Sequence, residues 1–221
     1  MIRLEYAHEL ENLRGSVVAL SSMVDKAIAR SVDALIRQDV AAAEQVIAAD
    51  RAINRQRWAI EEDALRILAT QGPMASDLRN VAAAIHIVTD LERMGDHAAG
   101  TAKIVIDIAN EPLLKPLVDI PRMAAIAREM LNDAITAYIN GDPAAAEAVA
   151  HRDDEVDALY EQIYRELLTY MMADPGTINR ATRLLWVAHN LERVADRVTN
   201  ICERVVFAAT GELTEINVST Y

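Results

Sequence analysis

The chain has 221 residues, 52% of them hydrophobic but only 4% aromatic, and 34 acidic residues against 22 basic ones give a formal net charge of −12. That charge argues against nucleic acid as the main partner and against adhesion to an anionic membrane, since both need a basic footprint. Ala, Leu, Ile and Val dominate the apolar fraction, which suits close-packed helices better than a β-sandwich, and the length allows one large domain or two small ones sharing a core. The single cysteine, Cys202, permits no internal disulfide and fits a reducing compartment. Met1 to Tyr6 holds no signal-peptide run, and no stretch approaches ~20 uninterrupted apolar residues. A cytoplasmic protein without membrane insertion is the expectation.

Helix signals then follow one another along nearly the whole chain. Tyr6, Leu10, Leu13, Val17, Leu20 and Val24 step by four and three, which predicts a long first helix to about Gln38. Asp39 is placed to cap a second helix that opens with Ala41, Ala42, Ala43 and Glu44 and stops at Gln71-Gly72-Pro73. A third helix runs from near Met74 to about Asn110, and a connector with Pro112, Pro116 and Pro121 follows. The pattern then restarts. Met123 to Asn140 reads as a fourth helix, Asp142-Pro143 as the cap and first position of a fifth, and Asp174-Pro175-Gly176 as its end. The last helix reaches Thr210-Gly211. The predicted fold is all-α, a tandem repeat of two three-helix bundles: 1–110, a connector at 111–118, 119–211, and a loose tail at 212–221.

One motif occurs in both halves. Asp90-Leu-Glu-Arg-Met-Gly-Asp96 returns 100 residues later as Asn190-Leu-Glu-Arg-Val-Ala-Asp196. Glu92 and Asp96 lie one helical turn apart, as do Glu192 and Asp196, and each glutamate stands where the apolar seam predicts a buried residue. The preceding helix of each repeat supplies a matching pair on its own seam, Asp50 with Asn54 and Asp153 with Asp157. Counted from Gly72, Asp50 and Asn54 are 22 and 18 residues back and Glu92 and Asp96 are 20 and 24 residues on. At ~1.5 Å rise per residue both pairs sit about 30 Å from the turn. Counted from Pro175, the second repeat gives 22 and 18 back, and 17 and 21 on.

Converging carboxylates without a base between them repel one another, and hard or borderline cations with oxygen ligands (Mg, Mn, Fe or Zn) would resolve that repulsion. The alternative is that Arg93, Arg193 and Arg197 neutralise them as surface ion pairs worth a few tenths of a kcal/mol each. The repeats differ. Asn200 and Glu203 extend the acid face beyond Asp196, and His189 precedes Glu192 by three, whereas the first repeat has Gly100, Lys103 and Thr89 at those places and Asn54 where the second has Asp157. The second repeat is therefore expected to hold metal more strongly. His8, His86, His97 and His151 read as surface or packing histidines, Trp58 and Trp186 as helix-interface side chains, and Cys202 as a small core residue. No phosphate loop, Ser-His-Asp set or zinc-type cysteine spacing occurs.

The duplicated Leu-Glu-Arg-x-x-Asp, the acidic pair on each preceding helix, and Gln71-Gly-Pro-Met-Ala-Ser-Asp-Leu-Arg79 before the first motif resemble the PhoU family of phosphate-signalling regulators. The resemblance implies a cytoplasmic, often dimeric protein that is not an enzyme. It implies multinuclear iron, zinc, manganese or magnesium sites, held here by Asp50, Glu92, Asp96, Asp153, Asp157, Glu192 and Asp196, with Asn54 departing from the pattern. It further implies restraint of the phosphate-starvation response through contacts with a phosphate ABC transporter, through its ATPase, and with a sensor histidine kinase. The rivals are a metal-free helical scaffold and a ferritin-like di-metal oxidase. The oxidase needs Glu-x-x-His on two helices, and the only one here, Glu5–His8, lies outside both acidic groups.

Overall fold

The computed structural model describes residues 2–216, with side chains from Tyr6 onward. Six helical rods carry the chain. The first repeat contains α1 (Ile2–Arg37), α2 (Val40–Gln71) and α3 (Ala75–Ile108); the second contains α4 (Asp119–Asn140), α5 (Pro143–Ala150) with α6 (Asp153–Ala173), and α7 (Ile178–Thr210). The caps form where expected: Asp39 accepts from the Ala42 N–H at 2.9 Å and Asp142 from the Ala145 N–H at 3.0 Å. Gly72, Gly141 and Gly211 end α2, α4 and α7 in the left-handed conformation.

Two boundaries differ from the sequence reading. Pro121 belongs to α4, which begins at Asp119; a proline in the first helical turn loses no hydrogen bond, because those N–H groups have no partner within the helix. The fifth rod is broken at His151–Arg152 into α5 and α6. Arg152 there reaches across to Glu129 at 2.9 Å and Asp133 at 3.0 Å on α4, while Asp153, the next residue, turns into the protein. The three consecutive acids that open α6 (Asp153, Asp154 and Glu155) suit the positive end of a helix dipole.

A single core runs through both repeats. It follows the predicted seams: Leu13, Val17, Leu20 and Val24 of α1, and Val46, Ile53, Ile60, Ala64 and Ile67 of α2, are buried. Helices α3 and α7 are central. α3 packs on α1 and α2, α7 on α4, α5 and α6, and the two pack on each other. Asp90 meets Arg197 at 3.2 Å and Asn200 at 3.3 Å, while Asn190 meets His97 at 3.3 Å and Thr101 at 3.4 Å. These pairings make α3 and α7 antiparallel. The offset of 100 carries the Asp90–Arg197 contact onto Asn190–His97, as a pseudo-two-fold axis between the repeats requires. Arg128 of α4 adds a two-pronged pair to Asp25 of α1, at 2.7 and 3.0 Å.

The connector is strapped down. Gln38, at a left-handed φ of 52°, donates its side-chain amide to the Ile108 carbonyl at 3.3 Å and the Glu111 carbonyl at 2.7 Å. Lys115, buried, pairs with Glu166 of α6. Residues 212–215 are exposed and carry no regular secondary structure, and the tail's described part ends at Ile216, whose N–H donates to Glu203 at 3.2 Å and whose side chain packs against the core. Residues 217–221 lie outside the described residues. Trp58 and Trp186, expected in the core or at the rim of helix interfaces, are 60% and 54% exposed and so do not belong to the core.

Candidate metal centre

Two groups of acidic side chains form, one per repeat, each between the second and third rods. In the first, Gly95 lets α2 come close to α3. A β-carbon there would lie 3.2 Å from two carbons of Ile53 and 3.5 Å from Asp50 Oδ1. Gly95→Leu should therefore overpack this contact and cost about 1–3 kcal/mol, read as a lower urea midpoint with unchanged slope. Asp50 Oδ2 accepts from the Asn54 amide at 3.0 Å. Burial and then Asp96 push the Asp50 carboxyl above its ordinary range, against the opposing effects of Lys103 and Asn54. Burial and Asp96 also raise Glu92, opposed by Arg93 and Arg57. Arg93 stands 3.7 Å from Glu92 and 3.8 Å from Asp96.

The second group is deeper and more acidic. Asp153 and Glu192 are only 6% and 7% exposed. Burial first, then Asp157, Asp196 and Glu192, push the Asp153 carboxyl up to about 7. Burial and Asp196 take Glu192 to about 7 despite Arg193. Asp157 is raised by burial and Asp196, and Asp196 by burial against four cationic or imidazole neighbours. Arg193 is the local counterion, 3.3 Å from Glu192 and 2.9 Å from Asp196. His189, held neutral by burial and by Arg193, places Nδ1 3.6 Å from Glu192 Oε2.

Buried polar atoms are nearly always paired, so the exceptions carry information. Among the described residues five buried side-chain polar atoms lack a hydrogen-bond partner, and four of them belong to these two groups: Asp50 Oδ1, Arg57 Nε, Asp153 Oδ1 and Glu192 Oε2. Arg193 lies within ion-pair distance of that Glu192 oxygen but outside hydrogen-bond geometry. As they stand, no three His, Cys, Asp or Glu side chains among the described residues converge tightly enough to enclose a metal ion. Arg193, half-exposed, lies against two of the four acids of the second group, Glu192 and Asp196. The donor set fits a hard or borderline cation: carboxylate oxygens with unsatisfied lone pairs, and a neutral imidazole beside them.

All eight residues that the apolar seams place at matched height are thus brought together in two quartets. Asn200 and Glu203 are not. Asn200 donates to Asp90 across the α3–α7 contact, and Glu203 holds the tail through Ile216. Their positions one and two turns beyond Asp196 continued the acid face in sequence, but Asn200 is turned to α3 and Glu203 is taken up by the tail. Arg197, read as a possible neutraliser of the motif acids, donates to Asp90 while its charge also opposes the rise of Asp196. Cys202 is buried, as expected.

The PhoU domain profile matches this chain twice, over residues 17–105 and 120–205, and each match encloses one acidic quartet. The chain belongs to the PhoU family. Relatives named as phosphate-specific transport system accessory protein PhoU homologs are 37% identical over 98% of this chain and 100% of the Clostridium acetobutylicum protein, and 41% identical over 93% of both chains for the Aquifex aeolicus protein. The crystal structure of PhoU from Pseudomonas aeruginosa superposes with a TM-score of 0.89 at 35% identity, covering 94% of this chain and all of that one. The phosphate transport system regulatory protein PhoU from Streptococcus pneumoniae gives the same score and identity over 95% and 99%. The all-α tandem repeat is therefore the PhoU fold. No described helix is long and apolar enough to cross a membrane.

Two features of this PhoU-family chain escaped the sequence reading. Asp90 is a half-buried acid between the repeats, raised by burial against Asn200 and Arg197. Arg57 lies beside the first quartet. Both were visible as mismatches between the repeats, Asp90 against Asn190 and Arg57 against Tyr160, but only the helix packing says what each faces.

Proposed function

We propose that this chain is a metal-binding, non-catalytic regulator of phosphate uptake and phosphate-starvation signalling, working in the cytoplasm as a homodimer. It docks on the ATPase of a phosphate ABC transporter and on a sensor histidine kinase. One observation supports the metal half of this reading: the second quartet buries Asp153 and Glu192, each with a carboxylate oxygen that has no hydrogen-bond partner, beside two more acids. Asp153, Asp157, Glu192 and Asp196 would hold the ion, with Asp50, Asn54, Glu92 and Asp96 as the weaker counterpart. A bound Fe, Zn, Mn or Mg ion would supply the positive charge that lets all four carboxylates ionise together. The residues themselves fix α6 against α7, so occupancy would stiffen the second repeat and set the surface it offers to a partner. The phosphate half is supported by the relatives, which are named for the phosphate-specific transport system.

Adding Mn²⁺ to metal-free protein at a hundredfold excess over Kd should stabilise it by about 2.7 kcal/mol. For a chain of this size that raises Tm by roughly 5–10 °C. No shift with Mn, Zn, Fe or Mg would favour the metal-free scaffold. Docking is tested by co-purification with the transporter ATPase and the sensor kinase at high and low phosphate. Binding to neither at any phosphate level would remove that part of the proposal.

A further inference from the structure

The two repeats differ at a groove that is closed in one and open in the other. Gln38 and Gly141, both left-handed, follow α1 and α4, so an offset of 103 maps α1 and α2 onto α4 and the broken rod α5–α6. In the second repeat Arg152 crosses from that break to Glu129 and Asp133, at 2.9 and 3.0 Å, and Met130 is fully buried on the same helix. The first repeat reverses each of these features. Lys26 and Arg30 stand for Glu129 and Asp133, Ala49 for Arg152, Ala27 for Met130 and Ala52 for Glu155. Three alanines in place of three long side chains leave a cleft of about 170 Å³ between α1 and α2, with Met23, Ala27, Val46 and Ile53 as its apolar lining. Lys26 and Arg30 line its α1 side, both exposed, and among the described residues neither has a hydrogen-bond or ion-pair partner. The nearest acids along α1, Asp25 and Asp33, are committed to Arg128 and Arg37. On α2 the bordering stripe of Gln45, Ala49, Ala52 and Gln56 carries no charge.

We propose that this groove seats an acidic helical segment of a partner protein, which places an apolar side chain between α1 and α2 and carboxylates one turn apart against Lys26 and Arg30. The proposal rests on the docking reading above and gives it a surface and a partner chemistry. Size argues against a small molecule: the cleft is below the roughly 300–1,000 Å³ of such sites and suits one or two side chains of an incoming segment. Lys26 and Arg30 lie one turn apart, the spacing of two carboxylates at i and i+4 on a facing helix. The chain as a whole carries −12, so an acidic partner is repelled by most of the surface and drawn to the place where two cations stand without counterions. The second repeat shows the same chemistry closed within the chain, where two acids one turn apart meet a cation from the neighbouring rod. There the groove has its own occupant. In the first repeat the occupant comes from outside.

The probe is an acidic amphipathic peptide of about 15 residues, long enough to hold a helix, with Leu along one stripe and Glu at i and i+4 beside it. Titrated into the full-length protein with isotope-labelled Met, Ala and Ile methyls, it should shift the signals of Met23, Ala27 and Ile53 with a Kd on the order of 1 mM or tighter. Salt at about 1 M should weaken it severalfold. The same peptide with Lys for each Glu should leave those methyls unmoved. Lys26→Glu with Arg30→Asp and Ala49→Arg copies the closure of the second repeat and should bind about tenfold more weakly or worse. Lys26→Gln with Arg30→Gln, a milder change that leaves the cleft open, should also weaken binding, and a thermal melt shows which variants are folded. No saturable shift in the wild-type protein, equal binding of the Lys peptide, or undiminished binding by a folded variant would overturn the proposal. The transporter ATPase and the sensor kinase separate it from the docking reading. If either binds the wild type and the folded variants equally well, the groove is not where they dock and the proposal is overturned. If neither binds the wild type while the peptide does, docking on those two proteins falls and the groove stands.

Discussion

Asp196→Ala should remove most of the metal that the wild-type protein retains, while Asp96→Ala should remove little. Both residues end the same Leu-Glu-Arg-x-x-Asp motif, so the sequence motif alone predicts equal losses. The surroundings do not. Asp196 faces Asp153, Asp157 and Glu192, all held above their ordinary range by burial and mutual repulsion, with Arg193 as the opposing charge at 2.9 Å. Asp96 faces Asp50 and Glu92, whose charges are already offset by Lys103, Asn54, Arg93 and Arg57. Losing one of four oxygen donors from a site whose acids outnumber its counterions should weaken binding by tenfold to a hundredfold, a cost on the order of 1.4–3 kcal/mol. Equilibrium dialysis of the two variants against Mn²⁺ or Zn²⁺ measures the difference directly. Equal losses would show that the repeats bind alike.

The metal-free protein should also lose stability as pH rises from about 4.5 to 7.5. Asp153 and Glu192 have folded values of about 7 against ordinary values of 3.8 and 4.5, so between those limits the folded chain holds protons that the unfolded chain has released. A raised carboxyl contributes its stability below the unfolded value and surrenders it as pH climbs through the folded one. A tenfold gain in proton affinity on folding is worth about 1.4 kcal/mol. The two groups share one site and solvent reaches part of it, so their combined effect is on the order of 3 kcal/mol. In EDTA, Tm should fall by roughly 5–10 °C across this window for a chain of this size. Asp153→Asn with Glu192→Gln should flatten the profile. A wild-type Tm that is level or rises from pH 5 to 7.5 would show that these carboxyls ionise freely without metal.

The helical repeat and the pairing of acids across α2–α3 and α6–α7 were legible in the sequence, because apolar seams of period 3.6 place residues by height and face. An acid that interrupts such a seam, as Asp50, Glu92, Asp153 and Glu192 do, has to point inward. Periodicity is silent on what stands opposite a seam on a non-neighbouring helix. That is why Asp90 and Asn200, which meet across the antiparallel α3–α7 contact, and the commitment of Glu203 to the tail were not foreseen. It is silent too on interruptions that keep helical dihedrals: His151 and Arg152 stay near φ −70° and ψ −12° and break the rod without any glycine or proline. Trp58 and Trp186 are apolar residues on the solvent side of the seam, where size alone predicts burial and position forbids it.

The central claim is a cation held between α6 and α7. The direct measurement is anomalous diffraction from crystals of the protein grown or soaked with Mn²⁺ or Zn²⁺. A peak at about 2.0–2.2 Å from carboxylate oxygens of Asp153, Glu192 and Asp196, with Arg193 swung outward, is the predicted result. A peak between α2 and α3 should be weak or missing. No anomalous peak at the α6–α7 site, with Arg193 still bridging Glu192 and Asp196, would contradict the account.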